Sequence, residues 1–388
     1  MTYLSILKSS ISHSYIKLYI LLILTVFFSL ETYTVHASSD IEKNVDYDNI
    51  QDSIDHIMIG EETIDFEDYV NKLISGKESF SLTAMASKLF GSIKGEINAN
   101  IKTFGQIIAI SLIAAIFTNL STAFKFNQVS ETGYYVTYIL LFSLLIGSFI
   151  TASNIAAKAI GQLLEFMRAL VPSYFIAVAY CSGSMSSYIF YEATLMVITL
   201  VDYIILKVVI PLVNFYLIIV LANNLSKEDM LSKLSGLIET IIQWILKSLL
   251  AVVIGFQTIQ GLIVPVADQV KRSRFLKASS AIPGVGGTLD SVAETVIGSG
   301  ILLKNAIGVA GLVVIIIICV IPIIKLAVVA LIYKFSGAVL QPVSDKRIIE
   351  CISATASSAQ MLLKSIVVGA ILFLLSITIV AISTGKVI

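Results

Sequence analysis

Charge is what this sequence has least of. Only 13% of its 388 residues are Asp, Glu, Lys or Arg, against 57% hydrophobic, where a soluble globular chain carries roughly 25% charged residues. With a mean hydropathy of +0.92, that deficit points to an integral membrane protein. Histidine is almost as scarce. Of the three present, His13 and His36 fall in the leader described below, which leaves His56 alone in a mature chain. A His-rich metal site or a Ser-His-Asp triad is hard to build from that, and no defensible pair of nucleophile and base occurs elsewhere. The chain is therefore expected to be no enzyme, with no catalytic residues, no cofactor and no metal. The three cysteines (Cys181, Cys319, Cys351) all lie in the hydrophobic two-thirds, so the polar N-terminal part has no disulfide framework. Nor is there a phosphate loop. The GVGG at 284–287 follows no strand and precedes no Lys-Ser/Thr pair.

What charge there is lies unevenly. The formal net charge is zero, yet residues 38–104 hold 13 acids against 6 bases and residues 105–388 hold 18 bases against 12 acids. Such an acidic part and such a basic part are expected on opposite sides of a membrane. At the N-terminus, Lys8 and Lys17 precede an apolar run at 18–30, and Val35 and Ala37 occupy the small-residue positions of a signal-peptidase site. This predicts a signal peptide over 1–37 and export of the acidic segment 38–103. Apolar residues at helical spacing there (Ile57, Ile64, Val70, Leu73, Ile74, then Leu82, Met85, Leu89, Phe90, Ile93) predict short amphipathic helices. A unit of that size has a marginal core and is expected to pack on partners or on the membrane part.

Residues 104–158 read as a transmembrane hairpin, with spans at 104–124 and 134–157 and Tyr134, Tyr135 and Tyr138 at an interface. The apolar stretch 188–222, interrupted by Glu192, Asp202, Lys207 and Pro211, is too long for one straight span and reads as a kinked pair or a span plus an interfacial piece. Residues 226–247 predict a surface-lying amphipathic helix with the single Trp244 near its membrane end, ahead of a span at 248–267. A second amphipathic segment (344–364) precedes a last span at 366–383. Charges inside such runs are functional candidates because an uncompensated one costs roughly 2.5–3.5 kcal/mol on insertion scales. Glu192, Asp202 and Lys304 are the ones here. Glu165 and Arg168, three apart, read instead as an intrahelical pair.

The stretch 271–311 is the pivot. Lys271, Arg272, Arg274 and Lys277 follow an apolar segment and read as a cytoplasmic-boundary cluster. Pro283 and Gly286, Gly287, Gly298 and Gly300 then interrupt the helical pattern in nearly uncharged sequence. This is either a cytoplasmic loop or an element that lines a lumen or packs helices closely.

Laid on itself at an offset near 111, the chain matches in order. Phe166-Met167-Arg168-Ala169 meets Phe275-Leu276-Lys277-Ala278, Pro172 pairs with Pro283, Pro211 with Pro322, and the word Q-x-x-L-K-S recurs at 243–248 and 360–365. Two repeats, 159–268 and 269–388, follow from that alignment. Broken helices near the axis of such a duplication tend to line a pathway, which adds Pro172 to the candidate pathway or packing residues. The fold expected is all-α, a polytopic helical membrane protein with broken and amphipathic helices, an internal repeat and a small exported helical N-terminal segment.

Residues 166–172 (FMRALVP) with the following CSG, and residues 275–311 with DSVAETVIGSGILLKNAIGVAG, resemble the stage III sporulation protein AE family of endospore-forming bacteria, and the resemblance covers nearly the whole chain. It implies a subunit of a channel or feeding-tube complex between mother cell and forespore, needed after engulfment. It further implies a multi-pass place in the mother-cell membrane around the forespore. The implied partners are the other stage III sporulation A-operon proteins and, through them, a forespore membrane partner. No nucleic acid is implied, and the family supplies no catalytic or ligand residues to carry over. The residues alone also allow a stand-alone secondary transporter with duplicated membrane halves, or a structural scaffold.

Overall fold

The computed structural model describes residues 45–58, 64–76, 82–124, 127–182, 186–225, 230–279 and 286–383, and within them the side chains other than those of 82–90, 118–131, 180–191, 261–297, 299 and 379–383. The expected leader over 1–37, Pro283 and Gly284 lie outside these residues. Among them every regular element is a helix, as the composition requires.

Two short helices come first, α1 (Tyr47–Ile57) and α2 (Phe66–Ile74). Each starts on an aspartate whose carboxylate accepts from a main-chain N–H three residues on, Asp46 from Asn49 at 3.1 Å and Asp65 from Asp68 at 2.9 Å. Such caps contribute about 1 kcal/mol each. Helices this short do not persist alone. What holds them is burial: Ile50, Ile54, Phe66 and Val70 are fully enclosed, with α1 laid on α4 and α2 on α8. The marginal core of the acidic segment is thus completed by the bundle beneath it.

The remaining helices are long. They are α3 (Leu82–Phe124), α4 (Asn127–Ser182), α5 (Ser186–Ile204), a π-helical segment (Ile205–Val209), α6 (Ile210–Asn223), α7 (Ser232–Ser279), α8 (Gly286–Leu340) and α9 (Lys346–Ser383). Six helical stretches among the described residues are long and apolar enough to cross a membrane.

Several helices continue past positions at which the sequence suggests a change. α3 runs unbroken across 103/104, and α4 fuses the span at 134–157 with residues 161–182 through Pro172. α8 continues through Gly298, Gly300 and Pro322. A glycine within a helix costs only about 1 kcal/mol relative to alanine, and burial on three sides outweighs it. Likewise 226–267 does not divide into a surface helix and a span. α7 is one helix, because the enclosed residues Ile238, Ile242, Leu246, Leu249 and Val253 continue in register across Lys247. Met230, just ahead of α7, and Leu234, Leu237 and Ile241 within it point outward with Trp244. Only the 188–222 region keeps a break. Pro211 has no N–H to give and its ring crowds the preceding turn, and the five residues ahead of Ile210 relax into the π segment.

α8 and α9 form the most extensive pairing, α4 packs on both, and α3 covers α4 and α8, while α5 and α6 close against α4, α7 and α9. The helix ends fix directions. At the start of α4, the Tyr134 hydroxyl donates to Asn224 O at 3.3 Å and that of Tyr138 to Leu221 O, both at the end of α6. Arg347, at the start of α9, stacks its guanidinium 3.8 Å over the Tyr134 ring. Leu231 N, just ahead of α7, donates to Asn223 Oδ1 at 2.7 Å. Hence α6 and α8 run toward this tyrosine end and α7 and α9 away from it, so α5–α6–α7 and α8–α9 are two hairpins of the same sense.

Candidate functional site

Helical periodicity on α5 turns Thr194, Ile198, Val201 and Asp202 into the bundle. One of these carries a charge. Asp202 is completely enclosed, and neither of its carboxylate oxygens has a hydrogen-bond partner. It sits one turn ahead of the π segment, and the charge whose field reaches it is that of Arg168 on α4.

A seam of buried neutral polar groups shares this part of the bundle. Gln260 Nε2 on α7 donates to Thr194 Oγ1 on α5 at 3.0 Å, and Gln257 Nε2, one turn earlier, donates to Ser376 Oγ on α9. Ser376 passes a hydrogen bond to Leu372 O at 2.8 Å. The Oε1 of Gln257 is buried without a partner. Polar groups in apolar surroundings are retained at a cost of roughly 1–3 kcal/mol each when unmet, which marks this seam as the candidate site. The sequence contained a readable sign of it in two glutamines three apart within an apolar run.

A second polar feature lies where α1 docks on α4. His56 Nδ1 stands 2.7 Å from Glu165 Oε1, Gln162 Nε2 donates to Ile57 O at 3.1 Å, and Ser173 Oγ donates to Asp46 O at 3.5 Å. Glu165 therefore takes His56, and not Arg168, as its ion-pair partner. Between the two helices an open cleft of about 330 Å³ is lined by Asn49, Asp52, Ser53, Glu165, Arg168 and Ala169. Arg168 belongs to both places, lining the cleft and acting on Asp202.

The other sequence candidates are dispersed. Glu192 is exposed near the start of α5, and Pro172 is half-buried inside α4. Lys304 is fully enclosed on α8, one turn before Gly308, whose face meets Tyr174 and Ile377. Gly286 and Gly287 open α8. Gly300 is buried, but a side chain at Gly298 would meet nothing. The close approaches occur further on, at glycines the sequence reading passed over. A Cβ on Gly311 would lie 2.5 Å from Leu170 Cδ2, and one on Gly308 would lie 3.3 Å from the Tyr174 ring.

The side chains of Lys271, Arg272, Arg274 and Lys277 lie outside the described residues. Their backbone belongs to the C-terminal part of α7, about 59 Å along the helix from its start at the tyrosine end. The α1 helix docks at residues 162–173 of α4, also far from that end, so the cluster and the docked arm lie toward the same end of the bundle. Among the described residues no group of three His, Cys, Asp or Glu side chains is placed to hold a metal ion.

Comparison with known proteins adds one family. The family model described as stage III sporulation protein AE matches residues 64–384. The stage III sporulation protein AE of Bacillus subtilis (strain 168) is 28% identical over 311 residues, covering 80% of this chain and 78% of that protein. No solved structure matches.

Proposed function

The chain belongs to the stage III sporulation protein AE family, and from that premise we propose that it is a non-enzymatic membrane subunit of a channel or feeding-tube complex linking mother cell and forespore, needed after engulfment. The observation that carries this reading is the docking of the acidic α1–α2 arm on the long helices α4 and α8. From Tyr134 to Ser173 α4 extends about 59 Å, which leaves room for a hydrocarbon core of roughly 30 Å between the tyrosine end and the arm. A folded acidic surface outside the membrane is what a neighbouring subunit would grip. In this orientation the arm faces the intermembrane space and the chain sits, multi-pass, in the mother-cell membrane around the forespore. Its partners are the other stage III sporulation A-operon proteins and, through them, a protein of the forespore membrane.

Deleting the chain should arrest sporulation after engulfment, and the tagged protein should co-purify with those partners from sporulating cells. Normal spores from the deletion strain would end this reading.

A stand-alone secondary transporter with duplicated halves is the second reading. It is favoured by the enclosed Asp202 and by the two hairpins of like sense, the arrangement that two crossings per repeat would produce. Here the pathway would involve Asp202 and Lys304. Solute flux in proteoliposomes that is lost in Asp202→Asn and Lys304→Met supports it, and normal sporulation of both variants together with no flux removes it.

A further inference from the structure

We propose that Asp202 is a reversible proton-binding site inside the membrane bundle, supplied from the cleft between α1 and α4. The inference uses the membrane-bundle reading alone and not the sporulation complex, so its failure would leave the proposed function standing.

An ionised carboxylate is an acceptor only, with room for about four hydrogen bonds. Asp202 receives none and no solvent reaches it. Left as an anion in such surroundings it is among the most costly groups a bundle can hold, so it needs a cation. The divalent ions need six or more oxygen ligands in a shell, and among the described residues no group of three His, Cys, Asp or Glu side chains is placed to hold a metal ion. A hydrogen ion needs a single oxygen, and the step balances simply: hydronium in the cleft gives its proton to the carboxylate, leaving water and a neutral carboxyl.

The neighbours fit an exchangeable proton better than a permanent one. From α4, Arg168 is the charge that acts on Asp202. The polar groups of the adjoining α7 and α9 seam are neutral: Gln257, Gln260 and Ser376. On its own helix, Glu192 is exposed ten residues earlier, and Lys207 is exposed in the π segment. The one cation that acts on Asp202 thus stands beside a completely enclosed carboxyl.

Arg168 also provides the link to water, since it lines the cleft with Asp52 and Glu165, the latter paired with His56. These polar groups stand at the open mouth of the cleft. On the far side of Asp202 the π segment precedes Pro211, which supplies no N–H. One carbonyl of that turn therefore loses the donor that Pro211 cannot supply.

Dicyclohexylcarbodiimide tests this on the full-length protein in lipid vesicles. The apolar reagent adds across a protonated carboxyl to form a stable N-acylurea with no leaving group, and the modified peptide is read by mass spectrometry. Asp202 should be modified in mildly acidic buffer, and the yield should fall about tenfold per pH unit once the site begins to empty. A water-soluble carbodiimide should modify Asp52 and leave Asp202 untouched. The infrared C=O band of a protonated carboxyl should disappear in Asp202→Asn. A yield at Asp202 indifferent to pH, or no adduct at any pH while the unfolded chain reacts, overturns the proposal. An unchanged carboxyl band in a folded Asp202→Asn protein does the same.

Discussion

His56 and Glu165, 109 residues apart in sequence, stand 2.7 Å apart where the α1 helix lies on α4. The pair looks like the fastening of the arm, but its side chains are 69% and 43% exposed, and exposed ion pairs contribute about 0–1 kcal/mol. Burial decides instead.

His56→Ala and Glu165→Gln should therefore leave the arm docked, with hydrogen exchange of residues 45–74 close to native. Ile54→Ala removes a fully enclosed side chain and should weaken docking by about 2–5 kcal/mol, read as faster exchange and earlier proteolysis of the same segment. If the two polar variants release the arm and Ile54→Ala does not, the energetic assignment is reversed.

Gly311 separates packing from flexibility. Leu170, the residue a Cβ there would strike, is itself fully enclosed and has no solvent to swing into. Gly311→Val should cost about 1–3 kcal/mol through overpacking, seen as a lower midpoint of thermal unfolding in detergent. Gly298→Ala, which fills open space, should be neutral or slightly stabilising as a helix-propensity change. Equal losses at both positions would mean that helix flexibility, rather than contact, is what the glycines supply.

The helical class, the membrane location and the enclosed charges at Asp202 and Lys304 were legible in the sequence, because apolar runs and the rarity of charge within them are properties of composition. Helix continuity was not. Pro172 and Pro322 fall inside α4 and α8 just as Pro211 falls at the π segment, and the difference lies in the neighbouring helices that brace each turn. The buried face of α7 was not legible either. When both faces of a helix are apolar, one turned to protein and one to lipid, periodicity identifies a stripe without saying which side it meets. The pairing of His56 with Glu165 left no local trace at all.

Orientation makes a further test. With the arm outside and the tyrosine end inside, a cysteine at Lys346, exposed at the start of α9, should react with an impermeant maleimide only after the membrane is opened. Cysteines at Asp52 and at Lys271 should react in sealed cells, in a chain whose own three cysteines have been replaced by serine. Protection of Lys271→Cys together with Lys346→Cys would restore the basic cluster to the cytoplasmic boundary and require α7 to turn back before Ser279.

The π segment carries the sharpest expectation. Ile198 and Leu221 are both fully enclosed. At about 100° per residue the 23 steps between them would set their directions about 140° apart in an unbroken α-helix. Removing one residue brings that to about 40°, so the π segment acts as a single inserted residue that keeps the faces of α5 and α6 on the same core. Deleting Lys207, which is exposed within it, should therefore yield a folded protein with a continuous α-helix and a thermal midpoint near native. Deleting the exposed Ser353 from uninterrupted α9 should rotate every later core residue by about 100° and abolish folding. The comparison also isolates function. A folded Lys207 deletion that no longer supports sporulation would assign the role to the loosened turn beside Asp202, and one that sporulates normally would show the turn to be an accommodation of packing alone.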